Sequence, residues 1–471
     1  MAALALVSFA LTSCGGGGGG GNQPFPAAPA IDRSGQSAGT VDGFGSIFVN
    51  GVEWDTDTAQ FTIDDQPGSQ ANLTVGEFVL VSGDLDDGGL TGTAERVERE
   101  PLIRGMIASI DLVAETLVVL EQTVLIDGNT VFAAPLVDLA GLMAGDSIEI
   151  DGLFAANGEV LATLVKAAAP GASMEVRGVV ANNVAATNRF MIGALMIDAT
   201  TAAFEDFATD IANGDFVEVE GTAFDGTGAL LAERVELEEL SATAGADEGT
   251  QFEIEGLITS FTNATDFAVG GVPVITNQAT EFENGTELDL VLNIRVEVEG
   301  SVDANGAVVA DEVEFKLDSD LVIEALVEAV ATTGDSFTML GVEIGANATT
   351  QLIDESDAAV ANFTIADLVV GDYVKVKAVG GTTPVVANLI KRKNPENDLK
   401  ITGLVSSVTD PDFMIDGALV HTDGATSFED ATETPITAAD FFLAVQAGSR
   451  VEAEGQSPAP GELLAESIEL K

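Results

Sequence analysis

Phe216-Val-Glu-Val-Glu-Gly221 is one of six related strands that decide the fold of this chain. Most copies alternate polar and apolar residues with a period of two, which is typical of a half-buried β-strand. The other five are Phe78-Val-Leu-Val-Ser-Gly83, Ser147-Ile-Glu-Ile-Asp-Gly152, Arg295-Val-Glu-Val-Glu-Gly300, Tyr373-Val-Lys-Val-Lys-Ala378 and Arg450-Val-Glu-Ala-Glu-Gly455. They recur about every 70 residues, a length typical of a small domain. The sequence therefore predicts an array of six small domains.

The third copy gives the order of elements most clearly. Three apolar alternations over 174–204 are followed by Phe207 and Ile211, whose four-residue spacing predicts a short helix over 205–213. Two further strands follow, and this order is that of an OB-fold barrel. We predict an all-β fold, a tandem array of six small OB-like five-stranded β-barrels, each with a short helix between strands 3 and 4. A continuous β-sandwich ribbon in which neighbours share strands remains open, because linkers such as Arg99-Glu-Pro101 are short.

Two small residues recur in register. The fifth strands carry an alanine, which indicates a crowded position in the barrel: Ala94, Ala162, Ala232, Ala310, Ala387 and Ala465. In four copies a threonine precedes by two residues the apolar side chain that ends strand 3: Thr130, Thr280, Thr350 and Thr426.

The repeats set the domain boundaries. We place them at 39–100, 101–170, 171–240, 241–316, 317–398 (degenerate) and 399–471. Residues 1–14 are apolar and end in Leu11-Thr12-Ser13-Cys14, which resembles a lipobox, so we expect a lipoprotein signal peptide with Cys14 as the lipidation site. A buried first strand is the alternative interpretation. Residues 15–38, with seven consecutive glycines and then several prolines, predict a tether.

The chain also resembles a known family. Gly43-Phe-Gly-Ser-Ile-Phe-Val-Asn-Gly-Val52 and the later pattern Gly-Asp-x-Val-x-Val-x-Gly resemble the bacterial DUF5666 repeat family over nearly all of 39–471. The resemblance implies a secreted or lipid-anchored protein of unassigned function. It implies no catalytic residues.

The charge balance excludes some partners. The chain has 77 acidic and 18 basic residues, with a net charge of −59. Nucleic-acid affinity comes mainly from Lys and Arg that neutralise phosphates, so we expect no nucleic-acid partner. We expect no cofactor, apart from weakly bound calcium. Oxygen ligands for such a hard cation are offered by Asp55, Asp57, Asp84, Asp86 and Asp87.

The residues for catalysis are scarce. His421 is the single histidine and Cys14 the single cysteine, which argues against nucleophilic catalysis that needs an imidazole base. Paired carboxylates remain available to a hydrolase. We expect, however, that most acids lie on the solvent face of their strands, as in Glu218, Glu220, Glu297, Glu299, Glu452 and Glu454. The sequence therefore predicts a protein without enzymatic activity.

Two further clusters are candidate interaction sites. Phe44, Phe48 and Trp54 lie close together in the first repeat and offer a binding face, although core packing also explains them. Lys375, Lys377, Lys391, Arg392 and Lys393 form a basic strip that could dock on an acidic neighbour.

These observations predict a lipid-anchored protein of the bacterial cell envelope or surface, or a secreted one. Its six barrels would serve as a structural spacer or a multivalent interaction array. Its partners would be a membrane, through the anchor, and an envelope protein or polysaccharide. An array of modules that bind extracellular polysaccharide or protein, assisted by calcium, is the alternative. A hydrolase with paired carboxylates is the third interpretation.

Overall fold

Each of the six repeats closes into its own five-stranded β-barrel, which confirms the predicted fold class. The computed structural model describes residues 34–471, except 87–88, 208, 239–242, 244–245, 318, 348–349, 361–362, 397 and 431–433. The predicted signal peptide, Cys14 and the tether up to residue 33 lie outside the described residues.

The strands of the first three repeats run in chain order. Repeat 1 contains β1 (Ser34–Phe44), β2 (Ile47–Val49), β3 (Val52–Asp55), β4 (Gln60–Ile63), β5 (Gln66–Gly68), β6 (Phe78–Leu85) and β7 (Thr91–Arg99). Repeat 2 contains β8 (Ile103–Asp111), β9 (Thr116–Val119), β10 (Gln122–Leu125), β11 (Val131–Phe132), β12 (Ser147–Phe154) and β13 (Val160–Ala167). Repeat 3 contains β14 (Met174–Val184), β15 (Arg189–Ile192), β16 (Leu195–Asp198), β17 (Ala203–Glu205), β18 (Phe216–Phe224) and β19 (Leu230–Glu238).

The last three repeats follow the same plan. Repeat 4 contains β20 (Gln251–Asn263), β21 (Asp266–Val269), β22 (Val272–Ile275), β23 (Glu281–Glu283), β24 (Arg295–Val302) and β25 (Val308–Phe315). Repeat 5 contains β26 (Leu321–Leu326), β27 (Ala329–Val330), β28 (Ser336–Met339), β29 (Val342–Gly345), β30 (Gln351–Asp354), β31 (Tyr373–Ala378) and β32 (Val385–Lys393). Repeat 6 contains β33 (Leu399–Thr409), β34 (Asp412–Ile415), β35 (Ala418–His421), β36 (Ser427–Glu429), β37 (Pro435–Ile436), β38 (Arg450–Gln456) and β39 (Glu462–Leu470).

Repeat 3 shows how a barrel closes. Its first strand, β14, pairs with β15 on one side and with β18 on the other. The third strand consists of two pieces, β16 and β17, and both pair in parallel with the last strand, β19. Because β18 pairs with β19, the sheet has no free edge between its first and last members. Val176, Phe190, Ile197 and Val219 fill the interior.

A bulge explains the closing glycines and the alanines that face them. In repeat 3 the register slips at Gly221, which pairs with the buried Ala232. A Cβ at the closing glycine would lie 2.1–2.4 Å from a backbone oxygen of the facing strand in all five copies that have one: Gly83, Gly152, Gly221, Gly300 and Gly455. Repeat 5 has Ala378 there instead. The crowding predicted at the alanine position is confirmed, since each of the six alanines is at most 3% exposed.

The recurrent threonine fastens strand 3 to strand 5. In repeat 6 the Thr426 hydroxyl donates to the carbonyl oxygen of Ala465 at 2.8 Å and accepts from the Asp423 amide at 3.0 Å. The same pair of bonds occurs at Thr130, Thr280 and Thr350, each to the carbonyl of its own register alanine. One side chain thus satisfies a strand carbonyl and a turn amide, which are both costly to leave unpaired when buried.

The predicted helix is wrong for most repeats. Among the described residues the single α-helix is α1 (Ala438–Ala444) in repeat 6, and 205–213 of repeat 3 forms none. Single 3₁₀ turns replace it at Gln70–Asn72, Leu139–Gly141, Glu287–Asp289 and Ile365–Asp367. One turn is sufficient because few apolar side chains must be inserted here. Leu139 and Leu142 are buried in repeat 2, whereas α1 inserts Phe441 and is followed by the buried Val445.

The predicted end of the tether also differs from the structure. Residues 34–38 belong to β1 and pair with β6 of the same barrel. The buried positions of Gly35, Ser37 and Ala38 show that small residues can fill a strand next to a neighbouring barrel.

The first strands also join the barrels in pairs, which answers the question left open by the short linkers. β8 pairs with β14, so repeats 2 and 3 share a sheet, and β26 pairs with β33, so repeats 5 and 6 do the same. Repeat 1 pairs instead with repeat 4, in parallel, through Gly35–Ala38 of β1 and Gln251–Ile254 of β20. The barrels stay closed, while their first strands form three continuous sheets.

No helix within the described part of the chain has the length and apolar character needed to cross a bilayer.

Candidate functional site

The junction of repeats 1, 2 and 3 is built around two buried arginines. Arg99 ends β7 and is 2% exposed. Its guanidinium donates to Asp64 at 2.9 Å, to Glu149 at 2.6 Å and to both oxygens of Asp151. Repeat 2 therefore supplies two of the three carboxylates that accept these hydrogen bonds from the last strand of repeat 1.

Arg104 continues the network into repeat 3. It donates to Glu149 at 2.9 Å, to Glu175 at 2.6 Å and to Asp64 at 2.7 Å. Asp64 and Glu149 each bridge Arg99 and Arg104. Planar guanidinium groups favour such forked bonds, which hold their partners in defined geometry.

Lys166 extends the same network. Its ammonium lies 2.5 Å from Glu77 and 2.9 Å from Glu149. Glu77 is fully buried and occupies the place that an aspartate has in the Gly-Asp turn of repeats 2, 3 and 5. The extra methylene lets this carboxylate reach the neighbouring repeat.

A second centre surrounds Glu218, which is 3% exposed. Arg177 donates to it at 2.7 Å and also contacts Glu100 and Glu238. Arg234 pairs with Glu218 as well, and reaches Asp65 of repeat 1 at 2.7 Å. Repeats 1 and 3 are thus connected by charge although they share no sheet.

Negative charge is in excess at this junction. Five cations, Arg99, Arg104, Lys166, Arg177 and Arg234, lie within 4.0 Å of twelve carboxylates: Asp64, Asp65, Glu77, Glu100, Glu149, Asp151, Glu175, Glu205, Glu218, Glu220, Glu236 and Glu238. Neutralisation is incomplete unless protons or other cations are taken up.

The pKa values follow from this imbalance. Burial, together with the charge of Glu218, raises the pKa of Glu175 to about 9. Burial also raises the pKa of Asp151 to about 6, although Arg99 opposes it. At Glu149 burial is outweighed by Arg99 and Lys166, which lower its pKa to about 2. The network therefore holds both firmly ionised and readily protonated carboxyls.

Four groups of three carboxylates in the described residues come within 4.8 Å of one another, and all lie in this network: Asp65, Glu218 and Glu236; Glu77, Glu149 and Asp151; Glu100, Glu218 and Glu238; Glu175, Glu218 and Glu220. Each group already contacts at least one arginine or lysine.

A cavity of about 960 Å³ opens beside the network, and all four of the first repeats line it. Phe78 and Leu80 of repeat 1, Phe154 of repeat 2, Phe216 of repeat 3 and Ile254 of repeat 4 supply apolar surface. Phe154 and Phe216 meet edge to face with their ring centres 5.5 Å apart. A smaller cavity of about 490 Å³ lies between repeats 5 and 6, lined by Tyr373, Lys400 and several acids.

Four of the five predicted calcium ligands are described, and they lie in strands and turns of repeat 1. Asp55 accepts from the Asp57 amide at 2.9 Å, and Asp86 accepts from the Thr91 hydroxyl at 2.7 Å. Asp84 lies in β6 opposite Thr93, and Asp87 lies outside the described residues. None of the four described aspartates belongs to the carboxylate groups named above.

Trp54 contradicts the predicted aromatic binding face. It is fully buried in the core of repeat 1, and its indole donates to the Ser37 hydroxyl at 3.2 Å. Phe44 is partly buried against that core, while Phe48 lies on β2 opposite Gly43. The core explanation accounts for Trp54, because alternate residues of β3 point into the barrel.

The basic strip is paired mainly within repeat 5. Lys375 and Lys393 both contact Glu324, Lys391 contacts Glu355, and Arg392 contacts Asp354 and Asp372. Lys377 is the member that approaches another repeat, with its ammonium 3.9 Å from Glu314 of repeat 4. The predicted docking on an acidic neighbour thus has one contact, at Lys377.

The prediction that Glu218 lies on the solvent face of its strand is wrong. This side chain is buried because the outward face of β18 packs at the junction of repeats rather than against water. Sequence reasoning missed Arg99, Arg104 and Lys166 altogether. A signal existed: in a chain with only 18 basic residues, these cations stand on the first or last strands of adjacent repeats.

Comparison with known proteins found one family. The model of a domain of unknown function, DUF5666, matches residues 37–98, 104–166, 177–236, 255–314, 324–391 and 402–469. No curated protein matches the chain. The six matches cover most of the chain and correspond to the six barrels.

Proposed function

Because the chain belongs to the DUF5666 family, whose function is unknown, we propose that it is a non-catalytic interaction scaffold of the bacterial cell envelope. A lipid on Cys14 would hold it at a membrane, and its barrels would present similar loops to a protein or polysaccharide partner. The observation that carries the proposal is the pairing of first strands between barrels. Strands joined by backbone hydrogen bonds keep their barrels at fixed spacing.

Fixed spacing is what distinguishes this scaffold from a flexible string of domains. When similar modules are held in a favourable geometry, weak individual contacts combine into strong overall binding. The buried network of Arg99 and Arg104 supports the same conclusion for repeats 1 to 3, since its loss would leave buried carboxylates unpaired.

The anchor has a direct test. In a bacterial host, Cys14→Ser should move the protein from the membrane fraction to the soluble fraction, and Asn22→Ala serves as the control. If both variants stay with the membrane, the lipid anchor is wrong.

The scaffold role can be tested by loosening a joint between two barrels. Glu324→Lys places a positive charge opposite Lys400 and beside Lys375 and Lys393, at the joint of repeats 5 and 6. We expect the chain from Asn22 onward to retain an envelope partner less well with this variant than with Glu466→Lys, an exposed position in repeat 6. Equal retention would contradict multivalent binding and favour a single-module binder. The same retention measurement with calcium and with a chelator shows whether cations assist partner binding.

A further inference from the structure

The outward faces of two barrels line the cavity of about 960 Å³ beside the arginine network. Leu80 and Glu98 are directly opposed on the outer face of repeat 1. Phe216 and Glu238 are directly opposed on the outer face of repeat 3. All four side chains line the cavity, and Phe154 of repeat 2 lies against Phe216. Each face thus offers an apolar residue next to a carboxylate.

The cavity is strongly acidic. Eight acidic residues and two arginines, Arg99 and Arg177, are among its lining residues. Both arginines are already bonded to carboxylates of the junction. A concave site lined by one sign of charge focuses its field and raises the local concentration of counter-ions.

Glu98 and Glu236 are two lining carboxylates whose negative charge nearby cations compensate only in part. Glu98 has a cation contact at 3.6 Å, from the largely exposed Arg96. Burial raises the pKa of Glu236 to about 7 even though Arg234 contacts it, and the charges of Asp65 and Glu238 add to the effect. An added positive charge beside either carboxylate would therefore be stabilised.

We propose that this cavity binds a small organic cation with an aromatic or other apolar body, such as a substituted quaternary ammonium. The positive group would lie near Glu98 and Glu236, and the apolar body would pack on Phe154, Phe216 and Leu80. Phenyl faces attract such cations through their quadrupole, and the volume accommodates a ligand of this size. The site goes beyond the scaffold role and does not depend on it.

The test measures binding to the full chain by titration calorimetry at low salt. Benzyltrimethylammonium is the probe, tetramethylammonium lacks the apolar body, and benzyl alcohol lacks the charge. We expect saturable binding of one benzyltrimethylammonium per chain, at least about tenfold tighter than either comparison compound. Sodium chloride should weaken it, because the charges are screened.

Matched variants locate the site. Glu98→Gln and Phe154→Leu should each weaken benzyltrimethylammonium binding about three- to tenfold. Their controls are Glu469→Gln and Phe224→Leu, which occupy the corresponding strand positions in repeats 6 and 3 outside the cavity lining. Phe154→Leu keeps an apolar side chain in the packing, and thermal unfolding of each variant verifies that the fold is retained.

Two results would overturn the proposal. Binding that both cavity variants and both controls share at wild-type strength would show general attraction to a chain of net charge −59. Absence of saturable benzyltrimethylammonium binding would exclude this ligand class from the cavity. Neither result affects the scaffold role, which rests on the joints between barrels.

Discussion

Arg104 and Glu175 form a cross-strand pair between two barrels, with a guanidinium nitrogen 2.6 Å from a carboxylate oxygen. Their neighbours Ile103 and Val176 are also paired, and both are buried in the core that repeats 2 and 3 share. One step of the ladder thus joins the cores, and the next joins a guanidinium to a carboxyl group on the outer faces.

At the joint of repeats 5 and 6 the acidic and basic residues of the cross-strand pair are exchanged. Glu324 stands opposite Lys400 there, where repeats 2 and 3 have Arg104 opposite Glu175. An exchange of partners would bring Arg104 opposite Lys400, and like charges in directly opposed positions are destabilising. We infer that the polarity of this pair helps to determine which repeats join.

Arg99 should be the most sensitive residue of the junction. Arg99→Met leaves Glu149 and Asp151 without their main cation, and breaking a buried ion pair costs about 3–5 kcal/mol. We expect the calorimetric unfolding transition to fall by on the order of 10 °C. The control is Arg96→Met, whose side chain is 59% exposed. Similar transitions for the two variants would show that the network contributes little to stability.

The closing glycine should be indispensable in repeat 6. A Cβ at Gly455 would lie 2.1 Å from the carbonyl oxygen of Leu464, so Gly455→Ala must displace a strand. We expect a loss of about 2 kcal/mol or more, measured by urea unfolding. Gly424→Ala in the same repeat is the control, because a Cβ there has open space. An equal effect of both substitutions would rule out crowding as the reason for the glycine.

The barrels could be predicted from the sequence because their determinants are local. Alternation in 216–221 places Val217 and Val219 inside, and the small residue at Ala232 indicates the crowding that the bulge produces. The helix predicted from Phe207 and Ile211 is wrong, because a four-residue spacing of apolar residues does not distinguish a helix from an irregular segment that buries Ile211.

The junction could not be predicted, because it depends on how barrels pack. A glutamate on an alternating strand, such as Glu218, has the same local pattern whether it faces water or another repeat. The pairing of repeat 1 with repeat 4 joins strands more than 200 residues apart, as Ser37 and Glu253 illustrate by their hydrogen bond at 3.1 Å. No local pattern of either strand specifies the other.

The threonine of strand 3 should contribute through its two hydrogen bonds. Thr426→Val keeps the shape of the side chain but leaves the Ala465 carbonyl and the Asp423 amide without this partner. We expect a loss of about 1–3 kcal/mol, visible as a lower urea midpoint for the transition that includes repeat 6. Exposed Thr201→Val is the control. An unchanged midpoint for Thr426→Val would mean that water replaces both bonds.

Stability should fall as pH rises through the neutral range. Glu175 has an ordinary pKa of 4.5, which its burial and the charge of Glu218 raise to about 9 in the folded chain. Between these values the folded state holds a proton that the unfolded state releases, so each rise in pH favours unfolding. Asp64 and Glu220 act in the same direction as Glu218, and Arg104 opposes them.

Glu175→Gln removes the titratable proton of this side chain. We expect the unfolding temperature of the native protein to decrease from pH 5 to pH 9, and the decrease to be smaller in the variant. Glu121→Gln, at an exposed position of the same repeat pair, should keep the native slope. Burial also raises the pKa of Asp151 to about 6 and of Glu236 to about 7, so part of the slope should survive in Glu175→Gln. If the variant and the native protein keep parallel profiles above pH 7, Glu175 is ionised in the fold, and Arg104 rather than burial determines its charge.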